Sequence, residues 1–241
     1  MAHLDPEAIR GILLALNDIA TGGRIDQSAE DLRVQAAGFS GSARHVAMDM
    51  SAAAPKGLLN ASLGVMAEGL SVTSLPANIS AWLPRRVVLR PSLSGLSVAD
   101  LTRIAMLATE PNIDQQALQA ALAALLAHGG VTVGIDALSL DVGPAEFEGN
   151  GQLLIRAPDD VQGNAQITAT GMDALLPEMH KNPDLAPILG GLAIAINLAR
   201  REGNRLIWDI DFRDGRLTVN GVDPRRPRPN QQFRSQPGST R

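Results

Sequence analysis

The chain has no cysteine and no tyrosine, and aromatic residues make up only 2% of its 241 positions. Without cysteine there is no disulfide, no thiolate nucleophile and no Cys-ligated metal, which suits the cytoplasm and a cysteine-free periplasmic protein equally. Sparse aromatics leave few platforms on which nucleobases or sugars stack, and they imply a core of small aliphatic side chains. Long apolar runs are missing too. The most apolar stretch, ILGGLAIAINLA at 188–199, is 12 residues long and too short to span a bilayer. The first twenty residues hold Asp5, Glu7 and Asp18, which the apolar core of a signal peptide excludes. Taken as written, the sequence reads as a soluble protein.

The net charge of −4 hides an asymmetry. The last 18 residues, PRRPRPNQQFRSQPGSTR, hold five of the 21 basic residues and no acidic one, so residues 1–223 carry 16 basic against 25 acidic. An acidic body argues against nucleic-acid binding. The segment 224–241 is rich in Pro, Arg and Gln with no apolar period, and is expected to be a disordered, solvated end, with contact to anionic lipid head groups or RNA as the alternative.

What is present is a pattern that comes twice. Residues 4–23, LDPEAIRGILLALNDIATGG, and residues 113–130, IDQQALQAALAALLAHGG, each give an apolar residue, an Asp, an amphipathic helix and a Gly-Gly stop. The match resumes where Asn60-Ala61-x-Leu63-x-Val65 aligns with Asn164-Ala165-x-Ile167-x-Ala169. The spacing predicts a helix over about 6–20, capped by Asp5 and Pro6, with Ile9, Ile12, Leu13, Leu16 and Ile19 on one stripe. Its twin over about 114–127 is capped by Asp114 and carries Leu118, Leu122, Leu125 and Leu126.

Period-two alternation follows each helix. The first copy offers strands at Leu32–Ala36, His45–Met50, Ala61–Val65, Val87–Arg90 and Leu96–Val98. In the second, Val131, Val133 and Ile135 hold one phase and Leu138, Leu140 and Val142 the other, which predicts a bulge or turn near Asp136. Strands at Gln152–Arg156, Ala165–Ala169, Leu206–Phe212 and Leu217–Val219 follow. The predicted organisation is a first helix–meander unit at 1–98 and a linking helix at 99–112. A second unit spans 113–223, with an extra helix at 185–201 lying between Leu176-Pro177 and the final hairpin. The fold class is α+β: two related halves, each an antiparallel meander folded over a helix, forming curved and twisted sheet.

No catalytic, cofactor-binding or metal-binding residue is assigned. Asp209, Asp211 and Asp214 in WDIDFRDGR approach a calcium loop, but Asp214 is displaced to position 6, Gly215 to 7, and position 12 is Asn220 rather than Glu. A strand with its aspartates toward water and a turn at Asp214-Gly215 explains them better. His3, His45, His128 and His180 have no metal-ligand spacing, and His128 suits the carbonyl end of its helix. No GxSxG elbow supports a Ser-His-Asp triad. Gly149-Asn150-Gly151 reads as a turn without the following helix that a phosphate site needs, and Gly190-Gly191 as a close-packing or weakening point in the extra helix. Arg200, Arg201 and Arg205, with Glu202 among them, bracket the end of that helix, where basic residues complement its carbonyls and an anion site is the alternative. The helix itself is read as buried, or as lying against a membrane or partner.

The segments GGVTVGIDALSLDVGPAEFEGNGQLLI and RLIWDIDFRDGRLTVNG carry a resemblance over about Leu101 to Asp223. They resemble an uncharacterised, mostly alphaproteobacterial family of envelope proteins known only as a domain of unknown function. The closing GRLTVNG is similar to the ends of beta-rich periplasmic proteins, some linked to outer-membrane assembly. The resemblance implies a periplasmic or membrane-anchored protein. Because such proteins usually begin with an anchor or signal segment, it implies membrane association through a segment before residue 1; a cytoplasmic or truncated member is the alternative. It implies no catalytic residues. The leading expectation is a non-enzymatic envelope protein that binds a lipid-like or protein ligand, the former in an apolar groove of the sheet. A structural or protein-interaction module without a small ligand is the second reading, and a hydrolase with an unrecognised site the third. An unfilled apolar cavity of several hundred cubic ångströms would favour the first.

Overall fold

Runs whose side chains alternate between apolar and polar favour strands that bury one face, and such runs dominate the chain from Gly23 onward. The structure, a computed structural model, describes residues 22–36, 39–73, 75–80, 82–108 and 115–225. Strands β1 (Gly23–Ala36), β2 (Phe39–Ala53), β3 (Leu58–Glu68), the two-residue β4 (Ser71–Val72) and β5 (Arg86–Ser97) come first, with a one-turn helix α1 (Ala77–Ser80) before β5. Helices α2 (Val98–Ala108) and α3 (Gln115–Leu126) follow, then β6 (Val131–Val142), β7 (Ala145–Ile155) and β8 (Val161–Thr170). Helices α4 (Met172–His180) and α5 (Ala186–Leu198) lead into β9 (Arg200–Glu202), β10 (Arg205–Arg213) and β11 (Arg216–Val219).

All of these strands belong to one antiparallel sheet in the order β1-β2-β3-β5-β6-β7-β8-β10-β11, with β4 beside β2 and β9 beside β10. The fold is α+β with the sheet dominant. The strands before and after the α2–α3 pair are continuous because β5 pairs with β6 from Arg86↔Asp141 to Ser94↔Thr132. The register shifts between Ile135 and Leu138, so the phase change around Asp136 is a bulge, as the alternation predicts. The helix predicted over 6–20, with its cap Asp5, lies outside the described residues, as do Asp114 and the segment from 226 on.

The core lies under α4 and α5. Ala145, Ala169, Leu206 and Trp208 on the sheet meet Met172, Leu175 and Met179 of α4 and Leu185 just before α5. Ala145 and Ala169 are fully buried, and their small side chains let the helices sit close to the strands. Each large aliphatic side chain buried here contributes about 2 kcal/mol. Gly171 permits the turn into α4: its φ is +72°, and a Cβ there would stand 2.0 Å from the Pro144 carbonyl oxygen.

The end of α5 is tied down by two side chains. The last carbonyls of a helix lack intrahelical partners. The Trp208 indole N–H donates to the Ala195 carbonyl at 2.7 Å, and the Asn220 amide donates to Leu198 O at 2.7 Å and to Ile207 O at 2.9 Å. Asn220 Oδ1 also accepts from the Asp209 N–H at 3.0 Å. Its φ of +50° is a left-handed conformation that Asn tolerates. The VNG ending is therefore a clamp between β10, β11 and α5.

Leu176-Pro177 lies inside α4, where the rest of the helix packs well enough to tolerate the missing N–H. The structure corrects two expectations. The extra helix stops at Leu198, because Ala199 is extended and Arg200–Glu202 pairs with β10 instead. Leu96–Val98 is no separate strand: Leu96 closes β5 and Val98 opens α2.

Asn220→Gly keeps the left-handed backbone and removes the side-chain bonds. It should lower unfolding stability by about 2 kcal/mol, read as a lower urea midpoint with unchanged slope.

Candidate apolar groove on the sheet

Residues opposite one another in an antiparallel ladder point to the same face, so the register assigns every side chain a side. Four rows on one face cross the strands. The first runs Gly23-Ala52-Ala61-Leu93-Val133-Leu153-Gly163-Phe212-Leu217. The next holds Ile25, Met50 and Leu63, then Pro91-Ile135-Gly151-Ala165-Ile210-Val219. The third is Gln27-Met48-Val65-Leu89-Leu138-Gly149-Ile167-Trp208, and the fourth Ala29-Val46-Ala67-Val87-Leu140-Phe147-Ala169-Leu206. Gln27, on the edge strand, is the one polar side chain in the four. The opposite face is largely polar: Arg24-Ser51-Ser62-Ser92-Gly134-Gln152-Asn164-Asp211-Thr218 form one row there. On that side Ser51 and Ser62 share a hydrogen bond of 2.8 Å, and Ser92 Oγ donates to Asp136 Oδ1 at 2.6 Å.

Among the described residues, only part of the apolar face is covered. Helices α4 and α5 sit over its β7–β10 end, while Met50 is 44% and Ile135 42% exposed, and Ile25, Met48, Leu89 and Val133 are exposed as well. Beside the covered part lies an open trough of about 350 Å³, walled by Val133, Ile135 and Leu138 on β6 and by Ile210 and Phe212 on β10. Its floor is Gly149, Gly151, Gly163 and Ala165, with Leu153 and Ile167 alongside.

The glycines mark a close approach of strands. A Cβ on Gly151 would approach the Ala165 Cβ to 2.6 Å, and one on Gly163 would lie 2.7 Å from Leu153 Cδ1. Cβ atoms of an ordinary facing pair stand about 4.5–5.5 Å apart. A side chain at Gly151 would therefore collide with Ala165, and glycine is what lets the two strands approach this closely. Gly149-Asn150-Gly151 is thus strand, not the turn read from sequence; the turn of that hairpin is Gly143-Pro144, between the paired Val142 and Ala145. The signal that could have shown this is the period of two: Gly149 and Gly151 recur on one face of a strand, and so do Gly163 and Ala165.

The other candidates lie elsewhere. Asp209 and Asp211 are on the polar face; Gln166 Nε2 donates to Asp209 at 2.7 Å and Arg200 at 3.0 Å, while Arg213 pairs with Asp211 at 2.9 Å. Asp214 and Gly215, with φ of 52° and 69°, make the β10–β11 hairpin turn. Among the described residues, no three acidic or histidine side chains come together to hold a metal ion. Arg200 pairs with Glu202 and Asp209, and Arg201 lies 3.7 Å from Asp173. These carboxylates occupy the cations that an anion would need, and Arg205 stands across from Glu202 in the β9–β10 ladder.

Histidines are dispersed. His45 pairs with Glu30 at 2.6 Å, His180 Nδ1 lies 2.7 Å from the Leu176 carbonyl, and His3 lies outside the described residues. His128, just past the end of α3, meets Asp100 of α2 at 3.1 Å. Ser97 stands close by, yet its Oγ accepts the Asp100 N–H at 3.2 Å, the role of a helix cap. Gly190 and Gly191 are exposed, and a Cβ on either would meet nothing within 4 Å, so they serve no close packing. On the same helix Leu189, Leu192 and Ile196 pack inward while Ile188 and Ile194 are 56% and 63% exposed, so α5 is half-buried rather than buried.

Residues 3–223 match the family model of an uncharacterized protein conserved in bacteria, DUF2125. The chain belongs to this family. No curated protein and no solved structure matches it. In this DUF2125 member, no helix among the described residues is long and apolar enough to cross a membrane.

The hydrogen bond from Gln166 and the pairing with Arg200 hold the Asp209 carboxyl below the usual carboxylate range, against the opposing effect of its partial desolvation. A lowered folded-state value stabilises the fold above the unfolded value, near 3.9, and that contribution is lost as pH falls through the folded one. Because Asp209 is solvent-exposed the effect is small. Asp209→Asn should flatten the acid limb of thermal stability between about pH 5 and pH 2, measured as melting midpoints across that range.

Proposed function

We propose that this DUF2125 protein is a non-enzymatic binder of an apolar, lipid-like ligand held on the apolar face of its sheet. The observation that carries the reading is the open trough of about 350 Å³, whose lining is mostly aliphatic with Phe212, Gly and Ala, and includes Asn150, Gln152 and Asn164 but no charged residue. A solid core would have favoured a scaffold, whereas a volume of this size is in the range of small-molecule sites. The site offers no charged side chain, so recognition would rest on removing apolar surface from water at about 25 cal/mol per Å².

We place this activity in the bacterial envelope, on the periplasmic side, on the strength of the sequence resemblance. In the same reading the chain is a duplicated unit. Four strands, β1, β2, β3 and β5, precede α2–α3, and β6, β7, β8 and β10 follow, with the matched Asn-Ala segments in the third strand of each set. The second reading, a protein-interaction module, has one observation in its favour: the outward Ile188 and Ile194 of α5.

The test is lipid extraction and mass spectrometry on protein purified without denaturant. A stoichiometric lipid is expected with the native chain. Val133→Glu, which puts a charge on the 42%-exposed wall of the trough, should lower the bound lipid at least about tenfold, equivalent to about 1.4 kcal/mol, with little change in urea midpoint. Lipid-free native protein, or equal loading of the variant, would overturn the reading.

A further inference from the structure

The apolar face extends well beyond the trough. On β1 and β2 it presents Ile25, Met48 and Met50 as exposed side chains, while α4 and α5 lie over its other end. Across β1, β2 and β3 the four rows are uncharged, so an occupant is held there by burial of apolar surface. Contiguous exposed apolar surface of this kind marks a site of interaction. The chain itself carries a stripe that matches it. Residues 6–20, which lie outside the described residues, have in sequence Ile9, Ile12, Leu13, Leu16 and Ile19 at the spacing of one helix side, with Glu7, Arg10, Asn17 and Asp18 away from it. A helix this short is marginal in water without a surface to pack on.

We infer that residues 6–20 form this helix and dock it on the apolar face over β1, β2 and β3, with the aliphatic stripe against Ile25, Met48 and Met50. Four observations select this occupant over a lipid or a second copy of the chain. The tether is short: Thr21 and Gly22 are all that separate the segment from Gly23, which pairs with Ala52 in the first row of the same face. A segment tethered so closely meets the face at an effective concentration in the millimolar range, which a free ligand must match from solution, and the rows offer no charged side chain for a lipid head group. The turn suits a helix end. Gly22 has φ of +86°, the left-handed conformation in which glycine stops a helix, and Gly129 and Gly130, at +100° and +93°, occupy the same place between α3 and β6. The dimensions agree as well. A helix over 6–20 is about 22 Å long and about 10 Å across, and the four rows span about 20 Å along strands about 4.8 Å apart. Doubling back from Gly23, the helix reaches the fourth row and covers about three strands. Finally, the family match begins at residue 3, so the segment belongs to the same unit as the sheet. Docked there, it leaves the trough between β6 and β10 open.

The test places a benzophenone-bearing residue at Met50 on the apolar face and, as a control, at Ser62 on the polar face. Heavy-isotope and ordinary full-length chains are mixed in equal parts with vesicles of phosphatidylethanolamine and phosphatidylglycerol, irradiated, and mapped by mass spectrometry. The expected product joins position 50 to a peptide within residues 6–20 of the same isotope, with no such link from position 62. Leu16→Asp in the chain labelled at position 50 should abolish it. Mixed-isotope links would assign the face to a second copy, lipid adducts would assign it to lipid, and an unlinked position 50 would leave it bare; each overturns the inference. Hydrogen exchange on the unlabelled native chain gives an answer even where the label disturbs folding. Protection of the amides in residues 9–20 relative to the free peptide is expected, and exchange at free-peptide rates would overturn the docking.

Discussion

Every apolar row of the sheet crosses the ladder between β5 and β6, and the continuity of the structure rests on it. This pairing joins strands on either side of the α2–α3 pair into one surface. It is not a regular ladder. Pro91, which has no N–H to donate, sits where the register shifts between Arg90 and Pro91, opposite the bulge that sets Asp136 out of phase. Proline inside a sheet is tolerated at such irregularities. The bulge in turn directs the Asp136 carboxylate to the polar face, where Ser92 donates to it. One irregular crossing therefore keeps the apolar side apolar on both sides of the join.

The composition takes on a physical meaning in this frame. Where strands or helices approach closely, Gly and Ala are the residues that fit. Gly151, Gly163 and Ala165 fill that role at the trough, and Ala145 and Ala169 fill it beneath α4. Large residues are placed where they do a second job. Trp208 fills the core and also caps a carbonyl of α5, and Asn220 holds the end of the same helix against β10. The aromatic poverty of the chain thus follows from the closeness of strand and helix.

Most strands were legible because alternation is a local signal. The phases of Val131–Ile135 and Leu138–Val142 locate β6 and its bulge, and Asp214-Gly215 locates the last turn. Helices α2, α3 and α5 show in their apolar patterns, although α5 was extended too far because Arg200 and Arg201 look like favourable helix-end residues. What pairs them into β9 is their ladder with Leu206 and Ile207, a partnership that local pattern does not encode. Pro177 hid α4 in the same way, since the packing of Leu175 and Met179 outweighs one lost hydrogen bond. The trough was the least legible part. Gly-Asn-Gly is a turn signal by composition, and only the facing Ala165 shows that these glycines are required by convergence.

The strand order has a consequence for how the molecule is built. From β1 to β8 every long strand pairs with the long strand that precedes it in the chain, and the two long closures join β5 to β6 around α2 and α3 and β8 to β10 around α4 and α5. Local pairing keeps loop-closure entropy low, so the meander can grow strand by strand from either half. The closure of β10 onto β8 brings Trp208 and Asn220 to the end of α5. Until Trp208 and Asn220 arrive with β10 and β11, the carbonyl end of α5 lacks its side-chain partners, so the last strands act as the latch of the folding sequence.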